Sequence, residues 1–384
     1  MKTVYLDNNA TTRVAPEVLE EMLPYFSELY GNPSSMHFFG GQVGAKLEQA
    51  RARVAALLGA DPTEIVFTGC GSESDNAAIR SAVECLSGRN RIVTTRVEHP
   101  AVLGPCKYLE ERGYDIVYLG VDSEGRLDLA EAAYVINDDT AIVSVMWANN
   151  ETGVIFPIEE IGRLAKEHGA VFHCDAVQAV GKVPIDLSQS TIDYLSMSGH
   201  KLHVPKGVGV LCIRRGTPFA PFLVGGHQER NRRAGTENVA SIIGMGKGAE
   251  LAQGFVEQEQ TRVRTLRDRL EQGLLEGCPD AHRNGAAEPR LPNTSSVSFD
   301  YVEGEAILLS LSDLGICGSS GSACTSGSLE PSHVLRAMGV PFTRVHGSLR
   351  LSLSVYTTNE EIDYVLEHLP VTIQRLRALS PFGH

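Results

Sequence analysis

Between residues 60 and 215 the chain alternates short, β-branched apolar runs with longer segments of helical periodicity. The runs "EIVFTG", "NRIVTTRVEHP", "YDIVYLG", "AIVSVMWAN", "AVFHCDAVQ", "IDYLSMSGHK" and "GVGVLCIRR" each read as a buried strand bounded by turn residues. Between several of them the spacing predicts helices over 73–87, 101–112, 127–136 and 158–168. Strands alternating with helices in this way form a mostly parallel sheet covered on both faces, so an α/β fold is expected. Ligands of such sheets gather at the carboxyl ends of the strands, which makes the residues just after each strand the ones to read for chemistry.

From about 240 to 275 the pattern changes to a long helical stretch. Its part "TRVRTLRDRLEQGLLEG" carries charges on one face and Leu or Val on the other. It bridges to a smaller α+β pattern with strands in "NTSSVSFD" and around "GSLRLSLS". At 384 residues the chain exceeds one ordinary core, in keeping with a large unit and a smaller one.

Composition narrows the function classes. Apolar residues make up 42% and charged residues 21%, as in a soluble globular enzyme and unlike a disordered chain. A formal charge of −13 argues against a nucleic-acid groove, which needs clustered Lys and Arg. No apolar run reaches the roughly 18 to 20 residues of a membrane span. The start, "MKTVYLDNNATT", lacks an apolar signal core, so a cytoplasmic protein is expected, with no membrane partner. Eight cysteines, at 70, 85, 106, 174, 212, 278, 317 and 324, show no CxxC spacing. They read as reduced thiols, mostly buried, and no metal site is expected.

The strand ends hold the candidate chemistry. In "FTGCGSES" the glycines and Ser72 follow a strand and open a helix, where backbone N–H groups present themselves to an anion; an ordinary turn has the same pattern. "VEHPA" places His99, "WANNETG" places Asn149 and Asn150, "FHCDAVQAVGK" places Asp175 and Gln178, and "SMSGHK" places Ser198, His200 and Lys201. Each alone has an ordinary reading; a lysine at a strand end is normally a solvated charge. Together they set an amine, a carboxylate, an aromatic ring and an anion-binding turn at one edge of one sheet. Pyridoxal phosphate needs those four: an amine to join it, a carboxylate for its ring nitrogen, a ring to stack on it and donors for its phosphate.

"YLDNNATT", "NPSSMH", "VEHPAV", "NNETG", "DAVQAVGK", "GHKLHVPKG", "GGHQERNRRAGTEN", "SSGSACTSGSLEPSHVLRAM" and "HGSLRLSLSVYTT" together resemble the cysteine desulfurases, pyridoxal-phosphate enzymes of the class V aminotransferase family with the fold-type I architecture. The likeness covers essentially the whole chain and is greatest to the nitrogen-fixation type. It implies a large cofactor-binding domain over 13–257 and a small domain of 1–12 with 258–384 that carries the cysteine loop. It further implies that Lys201 holds the cofactor, Asp175 pairs with the ring nitrogen, Gln178 bonds the ring hydroxyl and His99 stacks and helps move protons. Gly71, Ser72, Ser198 and His200 would bind the phosphate, with Thr236 reaching in from the other subunit of a homodimer. Asn150 and Arg350 would hold the carboxylate of L-cysteine. A guanidinium suits that task on its own account, although a surface arginine on a strand is the ordinary reading of Arg350. Arg230, Arg232 and Arg233 receive no role. Val355 and Leu351 stand where close relatives carry Arg and Phe, and Asn231 where a Gly is customary.

"SSGSACTSGS" sets Cys324 among small residues that offer no apolar packing, whereas a free cysteine is normally buried. On the resemblance, Cys324 attacks the substrate's sulfur, holds it as a persulfide and presents it to an iron–sulfur scaffold protein serving nitrogenase maturation. Small residues give such a loop the mobility it needs. Cys70 and Cys317 read as structural. Housekeeping iron–sulfur assembly stays open as an alternative. So does a selenocysteine lyase or aminotransferase with the same cofactor site, which would not need Cys324.

Overall fold

The computed structural model describes residues 3–320 and 331–380, and in it the seven apolar runs become strands of a single sheet. After a short first strand β1 (Val4–Tyr5) they are β2 (Ile65–Thr68), β3 (Arg91–Thr95), β4 (Asp115–Leu119), β5 (Thr140–Ser144), β6 (Val171–Asp175), β7 (Tyr194–Ser198) and β8 (Gly209–Ile213). They lie in the order β2-β8-β7-β6-β5-β3-β4. Every pairing is parallel except those of β8, which runs against both β2 and β7. The expected α/β architecture is present, with one reversed strand that apolar periodicity does not reveal.

Alternation along the strands explains why the runs are apolar without interruption. Val66, Ile142, Val171, Tyr194 and Leu211 face one layer, while Phe67, Val143, Phe172, Leu195 and Val210 face the other. Helices Gly71–Cys85 and Pro100–Glu110 cover the first face through Ala78, Ile79, Val102 and Cys106. Helices Phe38–Leu58, Ile158–Glu167 and Val239–Gln258 cover the second through Val54, Leu58, Ile161, Ile243 and Ala249. Helices Gly71–Cys85, Pro100–Glu110, Leu129–Val135 and Ile158–Glu167 fall within two residues of the expected bounds.

The long helical stretch is a rod in three parts: Val239–Gln258, a π-helical turn Glu259–Val263, and Arg264–Gly277. Beyond it, β9 (Ala281–Arg283), β10 (Thr294–Phe299) and β12 (Ser348–Ser352) form an antiparallel sheet in the order β12-β10-β9, while β11 (Ile316–Cys317) pairs in parallel with β1. A separate core of Leu266, Leu270, Val297, Phe299, Leu311, Leu349, Leu351, Val365 and Leu369 holds this part together, and Val4 and Leu6 join it. The chain's start is thereby tied to its last third. Helix His333–Ala337, by contrast, packs Val334 and Leu335 into the core of the large sheet. Among the described residues no helix is long and apolar enough to cross a membrane.

Candidate active site

Lys201 ends the short 3-10 turn Gly199–Lys201 directly after β7. Its Nζ donates to the carbonyl oxygens of Asn9 at 2.5 Å and Ala10 at 2.7 Å. The carbonyl of Asn9 also accepts from Gln178 Nε2 at 3.0 Å. The segment "DNNATT" is stitched along this turn: Thr12 N and Thr12 Oγ1 both donate to the His200 carbonyl, and His200 Nδ1 lies 3.2 Å from Thr11 Oγ1. From its side chain, Asn9 Nδ2 donates to the Asn150 carbonyl at 3.2 Å and to Thr294 Oγ1 at 2.8 Å. Arg350 Nη1 donates to that same carbonyl at 3.1 Å, and Nη2 pairs with Asp7 Oδ1 at 3.0 Å. Asn9 thus links Lys201, Gln178, Asn150 and Arg350 in one continuous network.

Arg350 is buried, not the surface arginine of its ordinary reading, and its Nε has no partner among the described residues. Asn150 meets it through the backbone oxygen. Asp7 and Asn9 belong to the polar run "DNNATT", which in the sequence alone carries no sign of these pairings. Near Val355, one of the two positions that depart from the resemblance, Arg262 from the π-helical turn donates to the carbonyls of Val355 and Thr357.

Asp175 closes β6, buried, with Oδ1 accepting from Val177 N at 2.9 Å. Burial, then the nearby Asp75, pushes its carboxyl up to about 7, while the Val177 N–H, His173 and Lys201 pull it down. His99 caps helix Pro100–Glu110, its Nδ1 accepting from Ala101 N at 3.1 Å. Burial pushes it down to about 4, helped by Lys201, His333 and Arg350. At neutral pH its ring is therefore uncharged with the proton on Nε2. Such fields fall off with distance, so Lys201 lies near enough to act on both His99 and Asp175, and Arg350 near enough to act on His99. His200 is likewise pushed down to about 4, by burial and then by Lys201 and Lys206.

The turn after β2 leads into helix Gly71–Cys85, whose N-cap Cys70 makes no side-chain cap hydrogen bond. The first N–H groups of a 15-residue helix thus open towards the strand ends. A Cβ on Gly71 would lie 3.0 Å from Val177 Cγ2 and 3.5 Å from Ser198 Cβ, so the turn is pressed against the residues that follow β6 and end β7. Ser72 is exposed and Ser198 buried. Arg233 grips Glu73 with Nε at 2.8 Å and Nη2 at 3.2 Å, and Glu73 accepts from Gly69 N. Arg230 and Arg232 point elsewhere, to Glu48 and to the Thr63 carbonyl. Thr236 is exposed and lines a hollow with Thr68, Gly69, Gly207 and Arg233.

Cys324 lies outside the described residues. The chain on either side of it is held against the site. Ser319 and Arg350 exchange two backbone hydrogen bonds. Ser332 Oγ donates to Glu151 Oε2 at 2.5 Å, and His333 Nε2 lies 2.9 Å from the Glu98 carbonyl. Glu151 and Glu98 adjoin Asn150 and His99. Among the described cysteines, burial pushes the thiols of Cys106 and Cys212 up to about 12, which makes them poor nucleophiles.

The profile of the family described as Aminotransferase class-V matches residues 4–365. The chain is 60% identical over 382 residues to a cysteine desulfurase of Nostoc sp., covering 100% of this chain and 96% of that one. It is also 60% identical over 383 residues to the cysteine desulfurase NifS of Azotobacter vinelandii, covering 100% and 95%. Among solved structures, a NifS-like protein superposes with a TM-score of 0.92 at 41% identity, over 98% of this chain and 100% of that one. One from Rickettsia africae ESF-5 superposes at 0.88 with 30% identity, over 97% and 100%. With a family profile spanning nearly the whole sequence and relatives matched end to end, the chain belongs to the class-V aminotransferase family, in its cysteine desulfurase branch.

Proposed function

We propose that the chain is a pyridoxal-phosphate-dependent cysteine desulfurase. It converts L-cysteine to L-alanine, carries the sulfur as a persulfide on Cys324 and passes it to an iron–sulfur scaffold protein, with nitrogenase maturation as the pathway. The observation that supports this reading is that Lys201 acts on both His99 and Asp175 and Arg350 acts on His99, while the chain on both sides of Cys324 is held to Arg350 and to Glu151. The NifS name of the Azotobacter relative supports the pathway.

The residues fit the cofactor. Among the described residues Gln178 Oε1 and Arg350 Nε are buried without partners, and a side chain at Gly71 would crowd Val177. Lys201 would bond the cofactor, Asp175 would hold the ring nitrogen's proton, Gln178 the ring hydroxyl, and His99 would stack on the ring. Gly71, Ser72, Ser198 and His200 would take the phosphate, together with Thr236 from a second copy in a homodimer. Bound there, pyridoxal phosphate supplies an electron sink that acidifies the α-carbon of an amino acid.

The chain's own groups do the rest. Arg350, fixed by Asp7 and the Asn150 carbonyl, offers its remaining edge to the substrate carboxylate, joined by Asn150. Lys201 takes the α-proton at Nζ, where the Asn9 and Ala10 carbonyls favour the ammonium form. Neutral His99 holds a movable proton at Nε2. The Cys324 thiolate attacks the substrate sulfur, forming a sulfur–sulfur bond as the carbon–sulfur bond breaks with its electron pair left on carbon. L-cysteine and the Cys324 thiol thereby give L-alanine and the Cys324 persulfide, a sum that balances in atoms and electrons.

The test is whole-protein mass spectrometry after mixing with L-cysteine, wild type against Cys324→Ala, with alanine assayed in the same tubes. One added sulfur mapped to Cys324, alanine from the wild type and neither from the variant is the expected result. Alanine from both proteins without an adduct would overturn it.

A further inference from the structure

The sheet face covered by helix Gly71–Cys85 carries a buried polar island directly behind Asp175. Val171, His173 and Asp175 alternate onto this face of β6; Ser144 on β5 lies beside His173, and Ser196 on β7 beside Asp175. His173 Nδ1 is 2.8 Å from Ser144 Oγ and Nε2 is 3.0 Å from Ser196 Oγ. From the helix, Asp75, only 1% exposed, brings Oδ1 to 3.4 Å from His173 Nε2, and that oxygen has no hydrogen-bond partner. Glu98, following β3, is equally buried; its Oε1 accepts from Thr95 Oγ1 and Met146 N, and its Oε2 has no partner.

Three carboxyl groups, those of Asp75, Glu98 and Asp175, therefore act on one another where little water reaches, and only Asp175 has a part in the reaction proposed above. Three buried carboxyl groups that raise one another are not all ionised together at neutral pH. Burial pushes Asp75 and Asp175 each up to about 7 and Glu98 well above its usual range. His173 brings no compensating charge, because burial pushes it down to about 4. The groups facing Asp75 are His173 and Asp175 on β6, Ser196 on β7 and Glu98 beyond β3. The Val177 N–H, the His173 ring and the Lys201 ammonium all act on Asp175, favouring ionisation there and leaving the proton to Asp75.

On the reading that Asp175 meets the ring nitrogen of bound pyridoxal phosphate, we propose that Asp75 is a positioning residue that keeps a proton beneath the site, so that Asp175 alone carries the negative charge. Cofactor binding then depends on pH through Asp75, because a second buried negative charge repels an anionic cofactor.

Two measurements on the full-length protein test this. Infrared difference spectra of wild type and Asp75→Asn at neutral pH, with and without pyridoxal phosphate, are expected to show a carboxylic-acid carbonyl band that the variant lacks. Fluorescence titration with pyridoxal phosphate is expected to show affinity falling severalfold between about pH 7 and 9 in the wild type, and a flatter profile in Asp75→Asn, with near-equal affinity at pH 7 because Asn mimics the neutral acid. Ser196→Ala, which removes a donor to the ionised form, moves the wild-type fall to higher pH. No band assignable to Asp75, or identical profiles in wild type and Asp75→Asn, overturns the proposal. If the band is present and the wild type binds no pyridoxal phosphate, the protonation of Asp75 holds and the cofactor reading fails instead.

Discussion

Arg350 Nη2 and Asp7 Oδ1 are 3.0 Å apart, joining β12 to the segment that follows β1. Two of the arginine's donors are thus spent within the chain, and the unpartnered Nε defines the side from which a carboxylate is met. Removing Asp7 frees the guanidinium to swing and leaves a buried charge unpaired, a loss of about 3–5 kcal/mol for pairs of this kind. Asp7→Ala is expected to raise KM for L-cysteine about tenfold or more with a smaller change in kcat, and Asp7→Asn to do less because it keeps an acceptor. Steady-state kinetics decide it; a lowered KM would show that Asp7 competes with the substrate instead.

Asn9 is the second structural wager. Its side chain holds the Asn150 carbonyl, Thr294 and Asn293, and its carbonyl holds Lys201 and Gln178. Asn9→Ala loses three side-chain hydrogen bonds at about 1 kcal/mol each and leaves buried partners unsatisfied. The apparent Tm is expected to drop by several degrees, and the cofactor to be retained less well on dialysis.

Gly71→Ala isolates the turn. The new Cβ would stand 3.0 Å from Val177 Cγ2, which has to give way together with the residues after Asp175. Far-ultraviolet circular dichroism is expected to stay unchanged while affinity for pyridoxal phosphate falls about tenfold, since the helix N-terminus is displaced from its anion. Unaltered affinity would place the phosphate elsewhere.

The strands were legible because β2, β5, β6, β7 and β8 are buried along their whole length, and burial on both faces writes itself as an unbroken apolar run. Lys201, Asp175 and His99 stand out as candidates in the sequence because they follow strands. Helix Phe38–Leu58 was not, since it contains Gly40, Gly41 and Gly44 and owes its stability to packing, not propensity. Its neighbour Val239–Gln258 comes so close that a Cβ on Gly246 would overlap Ala50. Asp7 and Asn9 were not legible as site residues either. Their partners, Arg350 and Thr294, lie hundreds of positions away, and no local pattern records such a pairing.

The buried ionisable groups set opposing pH trends in the stability of the apoprotein. His99, His173, His200 and His203 are pushed down to about 4, so the unfolded chain binds more protons than the folded one between about 4 and 6.5, and stability is lost as pH falls through that window. Asp75 and Glu151 are pushed up to about 7, so the folded chain binds more protons between about 4 and 7, and their contribution is lost as pH rises. The two sets offset each other below about 6.5, and above it only the carboxyls act. Urea midpoints of the apoprotein are expected to be nearly level from about pH 5 to 6 and to fall from about 6.5 to 7.5. A midpoint that rises across the upper window would mean that these carboxyls are ionised in the folded chain.

Ser332 tests how the chain re-enters the site after Cys324. Its Oγ donates to Glu151 Oε2 and accepts from Leu335 N, capping helix His333–Ala337. Glu151, buried beside Asn150, is left without this donor in Ser332→Ala, and the lost cap costs about 1 kcal/mol more. The cofactor contacts assigned above all lie elsewhere, so the absorption spectrum with pyridoxal phosphate is expected to match the wild type. Persulfide formation in a single turnover is expected to slow about tenfold, because the chain beside Cys324 has lost one of its three anchors. Equal rates would show that the backbone exchange between Ser319 and Arg350, with His333 on Glu98, is sufficient to position it. A changed spectrum would mean instead that Glu151 acts on the cofactor through Asn150.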